Sequence, residues 1–228
     1  MIIRNNTIKV EEIDNNLVLC LEDNNELYKN ALFFDLEHYV YKKPICIGVF
    51  GCSYYDDEKR ALFVTQYMIE DKKDSEEIIS MIEEYFIKYK NSYEKKYIVT
   101  FSGNNDFTVL RYLFKERNID FDIDSEFIHI DLQKQYEKEK KEGIGLKNLE
   151  KIFEIERESA VISGSNLAKT ISKIVKDKDY FSRMPEDKKD KILLYNEQDV
   201  VSLFYILTNW KKYICLLYTS DAADEGLG

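Results

Sequence analysis

The chain has 228 residues, 44% hydrophobic and 33% charged, which suits one globular domain with a substantial core. No apolar run is long enough to cross a bilayer, and the opening Met-Ile-Ile-Arg-Asn-Asn lacks a secretory layout, so the expectation is a cytoplasmic protein with no membrane partner. A formal net charge of −10 excludes gripping long nucleic acid by bulk electrostatics; any such contact has to be local.

Residues 7–10 and 17–22 flank the turn-like Asp14-Asn15-Asn16 and read as a small lead-in hairpin, setting residues 1–30 apart from the domain proper. Three strands are predicted next, at 32–37, 45–52 and 62–67, joined by short polar segments as antiparallel neighbours require. A Ser-capped helix over 75–90 buries Ile78, Ile79, Ile82, Tyr85 and Phe86 on one face. A buried strand at 97–101 and a turn at 102–105 follow. Asp106 then opens a helix burying Val109, Leu110, Leu113 and Phe114. The last strand spans 127–131. Beyond it the pattern is helical: a Lys/Glu-rich segment, then helices at 146–153, 166–176 and 185–210, with Gly143-Ile-Gly145 as the start of the first of these three. This order specifies an α/β domain over 31–214, with helices on both faces of a five-stranded mixed sheet.

Four cysteines (Cys20, Cys46, Cys52, Cys215) show no CxxC spacing and are expected as thiols rather than disulfides or a zinc site. His38 and His129, the only histidines, belong to no His/Cys cluster and read as structural. The Lys-rich stretches 134–151 and 169–191 also carry many acids, so they read as solvated helix faces. The few Pro and Gly beside abundant Lys, Asn, Ile and Tyr point to an AT-rich bacterial or phage gene. The segment 215–228 breaks with this composition. It resembles a translated transposase adaptor and is read as a non-native tail.

The chemistry lies in acids set where acids are costly. Asp35 and Glu37 interrupt Ala31-Leu-Phe-Phe-Asp-Leu-Glu37, a run with the character of a buried strand. Residues two apart on a strand share a face, so the two carboxylates lie side by side and ask for a cation. Tyr195 and Asp199 share a helical face at i and i+4, and Asp106 starts a helix just after a strand. Four carboxylates (Asp35, Glu37, Asp106, Asp199) suit hard cations, Mg²⁺ or Mn²⁺, and two such ions suit phosphodiester hydrolysis.

These residues together resemble the DEDD exonuclease superfamily in its tyrosine subclass. Within it they are most similar to the YprB-type ribonuclease-H-like domains, which carry a histidine–aspartate–leucine segment and a "leucine-lysine-x-leucine-glutamate" helix. Those segments stand here as His129-Ile-Asp-Leu132 and Leu146-Lys-Asn-Leu-Glu150, with Ile155-Glu-Arg157 after them. The resemblance covers roughly residues 31 to 207 and implies a ribonuclease-H-like fold, two divalent metals and stepwise 3′–5′ removal of nucleotides from DNA or RNA. It implies that Asp35, Glu37, Asp106 and Asp199 bind metal and that Tyr195 orients the attacking water. Two positions depart from the family pattern: His38 stands where Thr usually follows the Glu, and Asn105 precedes Asp106 with Phe107 after it. Two other classes fit the residues: a catalytically weak nucleic-acid-binding module of the same fold, and an interaction domain whose acids are structural.

Overall fold

The computed structural model describes residues 1–158 and 162–215. The tail expected at 215–228 lies, beyond Cys215, outside the described residues. Strand β2 (Ala31–Tyr41) is the axis of the fold. Its apolar residues face alternately up and down, so it buries both sides. Leu32, Phe34 and Leu36 enter one core, while Ala31 and Phe33 enter another. Each fully buried Phe contributes about 1.5–3 kcal/mol.

The hairpin partner of β2 is β3 (Lys43–Asp56), reached through Lys42 in a left-handed conformation (φ 60°). Strand β4 (Ala61–Met68) pairs antiparallel with β3. Helix α1 (Asp74–Tyr93) then crosses over to β5 (Tyr97–Thr100), which runs parallel to β2. Helix α2 (Asn104–Glu116) and the short α3 (Ile123–Glu126) lead to β6 (Ile128–Asp131), parallel to β5. Among the described residues four α-helices follow, α4 (Leu132–Lys140), α5 (Leu146–Ile152), α6 (Gly164–Lys176) and α7 (Glu186–Thr208), and then a π-helical turn at Lys211–Cys215. Against the first face pack α1 through Ile78, Ile82 and Phe86 and α2 through Phe107 and Leu110. Against the other pack Leu149 of α5 and Leu203, Phe204 and Leu207 of α7. The α/β class with helices on both faces is thus as the sequence implied.

Two expectations need correction. The sheet has six strands, in the order β1-β4-β3-β2-β5-β6, because the N-terminal segment forms β1 (Ile2–Lys9) rather than half of a hairpin. It pairs antiparallel with all of β4, from Ile2 opposite Met68 to Lys9 opposite Ala61. An unpaired sheet edge offers a whole row of donors and acceptors, which a local hairpin could not match. Asp14-Asn15-Asn16 does turn the chain, its Asp14 carbonyl accepting from the Leu17 amide at 2.9 Å. The following segment is not a strand: Val18 and Leu19 are buried, and the Leu19 amide donates to the Leu207 carbonyl at the end of α7.

The second correction concerns the start of α1. Ser75 is not its cap; its hydroxyl donates to the Lys72 carbonyl at 2.6 Å. Asp74 carries the charge there, accepting from the Glu70 amide and pairing with the Met1 ammonium at 2.5 Å. Of the cysteines, Cys20, Cys46 and Cys52 are free thiols. No helix among the described residues is long and apolar enough to cross a membrane.

Candidate active site

Along one face of β2 the residues run Ala31, Phe33, Asp35, Glu37, and α7 crosses that face. Phe33 meets Phe204 edge-on, 5.4 Å between ring centroids. Two turns earlier on α7, Asn196 donates to Asp35 Oδ2 at 3.0 Å. The helix gets this close because Gly51 stands beside Asp35 on β3. A Cβ at Gly51 would lie 2.1 Å from Asn196 Oδ1. Gln66 on β4 locks the arrangement, its side-chain amide donating to Asn196 Oδ1 and to the Leu193 carbonyl, both at 2.8 Å. A chain of donors from Gln66 through Asn196 thus fixes the orientation of Asp35.

One turn beyond Asn196, Asp199 is buried, and carboxylate oxygens of Asp35, Glu37 and Asp199 all lie within 4.8 Å of one another. This proximity is electrostatically expensive. Burial pushes the Asp35 carboxyl well above the usual range, and the charges of Asp199, Glu37 and Asp106 add to it. Burial, with Asp199 and Asp106 behind it, raises Glu37 to about 8.

Asp106 sits in the first turn of α2, third residue of the helix rather than its cap, and stands outside the group of three. Its charge still acts on Asp35 and Glu37, while its own carboxylate is 3.4 Å from His38 Nε2. Burial raises the Asp106 pKa and His38 opposes that rise. A bulge in the β2–β3 pairing between Glu37 and His38 interrupts the ladder at this point. His38, read from sequence as structural, therefore stands at the edge of the cluster. His129 is structural: its ring stacks on Phe107 at 4.1 Å.

The cations of the site were not among the residues singled out by sequence. Lys147 and Arg157 both contact Asp199 Oδ1, and Arg157 also grips the buried Glu150 through Nε (2.7 Å to Oε2) and Nη2. Arg157 Nη1 is buried with no acceptor among the described residues. Lys147 is thus no solvated helix lysine. Helix α5 supplies Lys147 and Glu150 together, at i and i+3 on one face. A signal was present: Glu150 follows Leu149 and precedes Ile152 and Phe153, so an acid there had to find a partner. Tyr195 lies under the same two cations, the Lys147 ammonium 4.6 Å and the Arg157 guanidinium 5.4 Å from its ring. Burial and the charges of Asp199, Glu37 and Asp35 raise the pKa of its phenol, which keeps its proton at neutral pH.

An all-oxygen donor set, half-buried at Asp35 and Glu37 and buried at Asp199, with no ion-pair partner for Asp35 or Glu37 among the described residues, fits a hard divalent cation. No curated protein sequence matches the chain. Residues 32–211, most of the chain, match the sequence profile of the RNase H superfamily, whose members point to metal-dependent nucleases acting on nucleic acid. With its mixed sheet and its acidic cluster between β2 and α7, the chain belongs to the RNase H superfamily.

Proposed function

We propose that the protein is a metal-dependent 3′–5′ exonuclease of the DEDD tyrosine subclass, YprB-type, acting on single-stranded or frayed ends. The observation that carries this reading is the meeting of Asp35, Glu37 and Asp199 within 4.8 Å, in a chain of this superfamily. Asp35, Glu37 and Asp199 would hold Mg²⁺ or Mn²⁺, and Asp106 would join Asp35 in holding a second ion. Such ions, when bound, polarise a phosphoryl oxygen and acidify a water.

The chain's own groups do the rest. Tyr195 is a neutral phenol one turn from Asp199, placed to orient the attacking water without ligating metal. Arg157, tied down by Glu150, fixes the Asp199 carboxylate. Lys147, a quarter exposed and paired with Asp199, would meet a non-bridging oxygen of a bound phosphate. There it would offset the charge that gathers on phosphorus during attack.

The test uses 5′-labelled single-stranded DNA and RNA with Mn²⁺ or EDTA. The expected result is a ladder shortened one nucleotide at a time from the 3′ end, with no products in EDTA. Tyr195→Phe should lower the rate on the order of 10²-fold while Mn²⁺ uptake by calorimetry is kept. Asp199→Asn should lose both. Internal cuts would remove the exonuclease assignment, and binding without cleavage would leave a nucleic-acid-binding module of the same fold.

A further inference from the structure

Away from the carboxylates, α6 and the first turns of α7 enclose a groove of about 400 Å³. Lys169 and Lys173 line it from α6, Lys188 and Lys191 from α7, and no acidic residue lines it among the described residues. The spacing is i, i+4 on one helix and i, i+3 on the other, so each helix sets two like charges on one face. The two faces then meet across the groove. Like charges so placed destabilise a fold unless something neutralises them, and here little does. Lys191 pairs with Asp187 at 3.2 Å; the other three have no carboxylate partner among the described residues. Lys173 and Lys188 instead flank Tyr180, their ammonium groups 5.5 and 5.9 Å from its ring. In a chain of net charge −10, a four-lysine groove is a local exception to the whole.

The groove is also aligned with the site. Its floor includes Ile192, which lies one turn before Tyr195 and two before Asp199 on the same face of α7. The seven residue steps from Ile192 to Asp199 span about 10 Å of helix. That is the length of about three stacked nucleotides at ~3.4 Å each. Beneath the groove, the buried Ile171 of α6 rests on Gly48, the residue of β3 left over at the bulge beside Glu37. Lysines around an apolar floor of Leu167 and Ile192, with Tyr180 beside two of those lysines, make a surface for backbone phosphates and unpaired bases together.

We propose that this groove binds single-stranded nucleic acid and leads it along α7 to the carboxylate cluster. The direction of travel rests on the exonuclease reading; the binding does not. The test is fluorescence anisotropy with labelled single-stranded DNA and RNA of the same sequence, over a salt series, so that the two arms separate the two sources of the same phosphate chemistry. The proteins are wild type, Lys169→Gln/Lys173→Gln, and the fourfold variant with Lys188→Gln and Lys191→Gln added; their melting curves show that each is folded.

The expected result is at least tenfold weaker binding in the fourfold variant, with an intermediate weakening in the double variant. The slope of log affinity against log salt should fall by about 0.7 for each phosphate that a lysine no longer neutralises. Wild-type affinity and slope in both variants would overturn the groove while leaving any 3′–5′ cleavage, and hence the enzyme reading, intact. Lysine-dependent binding by a wild type that cleaves nothing would keep the groove and overturn the enzyme reading.

Discussion

Glu37 is held where a carboxylate prefers its proton, and this has a sign that can be measured. In the folded, metal-free protein its pKa is about 8, against 4.5 for an ordinary glutamate. Between those values the native state binds more protons than the unfolded one, so stability must fall as pH rises from about 4.5 through 8. Asp35, raised by the same burial, adds a loss of the same sign. Denaturant melts in EDTA should show this decline in wild type and a shallower one in Glu37→Gln; equal slopes in the two proteins would mean that the Glu37 proton is not shared with the cluster. These two carboxylates were legible from sequence because strand alternation is a local rule, readable from five residues. The partners of Asp199 were not. Lys147 and Arg157 lie 52 and 42 residues away, and only packing reveals which surface lysine is not on the surface.

Whole elements obeyed their patterns where one face was clearly apolar. Helix α1 shows the expected Ile78, Ile79, Ile82, Tyr85 and Phe86 stripe, and β2 shows its alternation. β1 escaped because Asn5, Asn6 and Thr7 at its middle are polar and exposed, and of the three half-buried residues Ile2, Arg4 and Ile8 one is charged, a pattern that declares an edge strand only once β4 is known. The contact of α7 with β3 was equally hidden, since a glycine in a strand does not say what fills its place. Gly51→Ala tests it. The added Cβ cannot coexist with Asn196, a fully buried side chain held from two sides. We expect a loss of about 1–3 kcal/mol in chemical denaturation. Adding Asn196→Ala should return part of it, with a coupling of at least about 0.5 kcal/mol. Additive effects would place the strain elsewhere.

At the scale of the molecule, repulsion in one cluster becomes a property of the fold. A cation that binds the native state alone stabilises it by about 2.7 kcal/mol at one hundred times its dissociation constant. For a domain of this size that is on the order of 5–10 °C in melting temperature. Mn²⁺ should therefore raise the melting point of wild type by that amount over EDTA and that of Asp35→Asn much less. The same rise in both proteins would mean that the ion binds away from the cluster.

The hydrogen bond between Asn196 and Asp35 joins residues 161 positions apart. During synthesis this has a temporal meaning. The nascent chain carries Asp35 and Glu37 on β2 before the helix that opposes them has been made. Asp199 and Tyr195 arrive among the last of the described residues, and α7 can dock only after Gly51 and Gln66 have been set side by side in the sheet. The carboxylates of β2 therefore stay apart from Asp199 until the sheet is laid down and α7 closes over it, so the cluster of three forms in one late step.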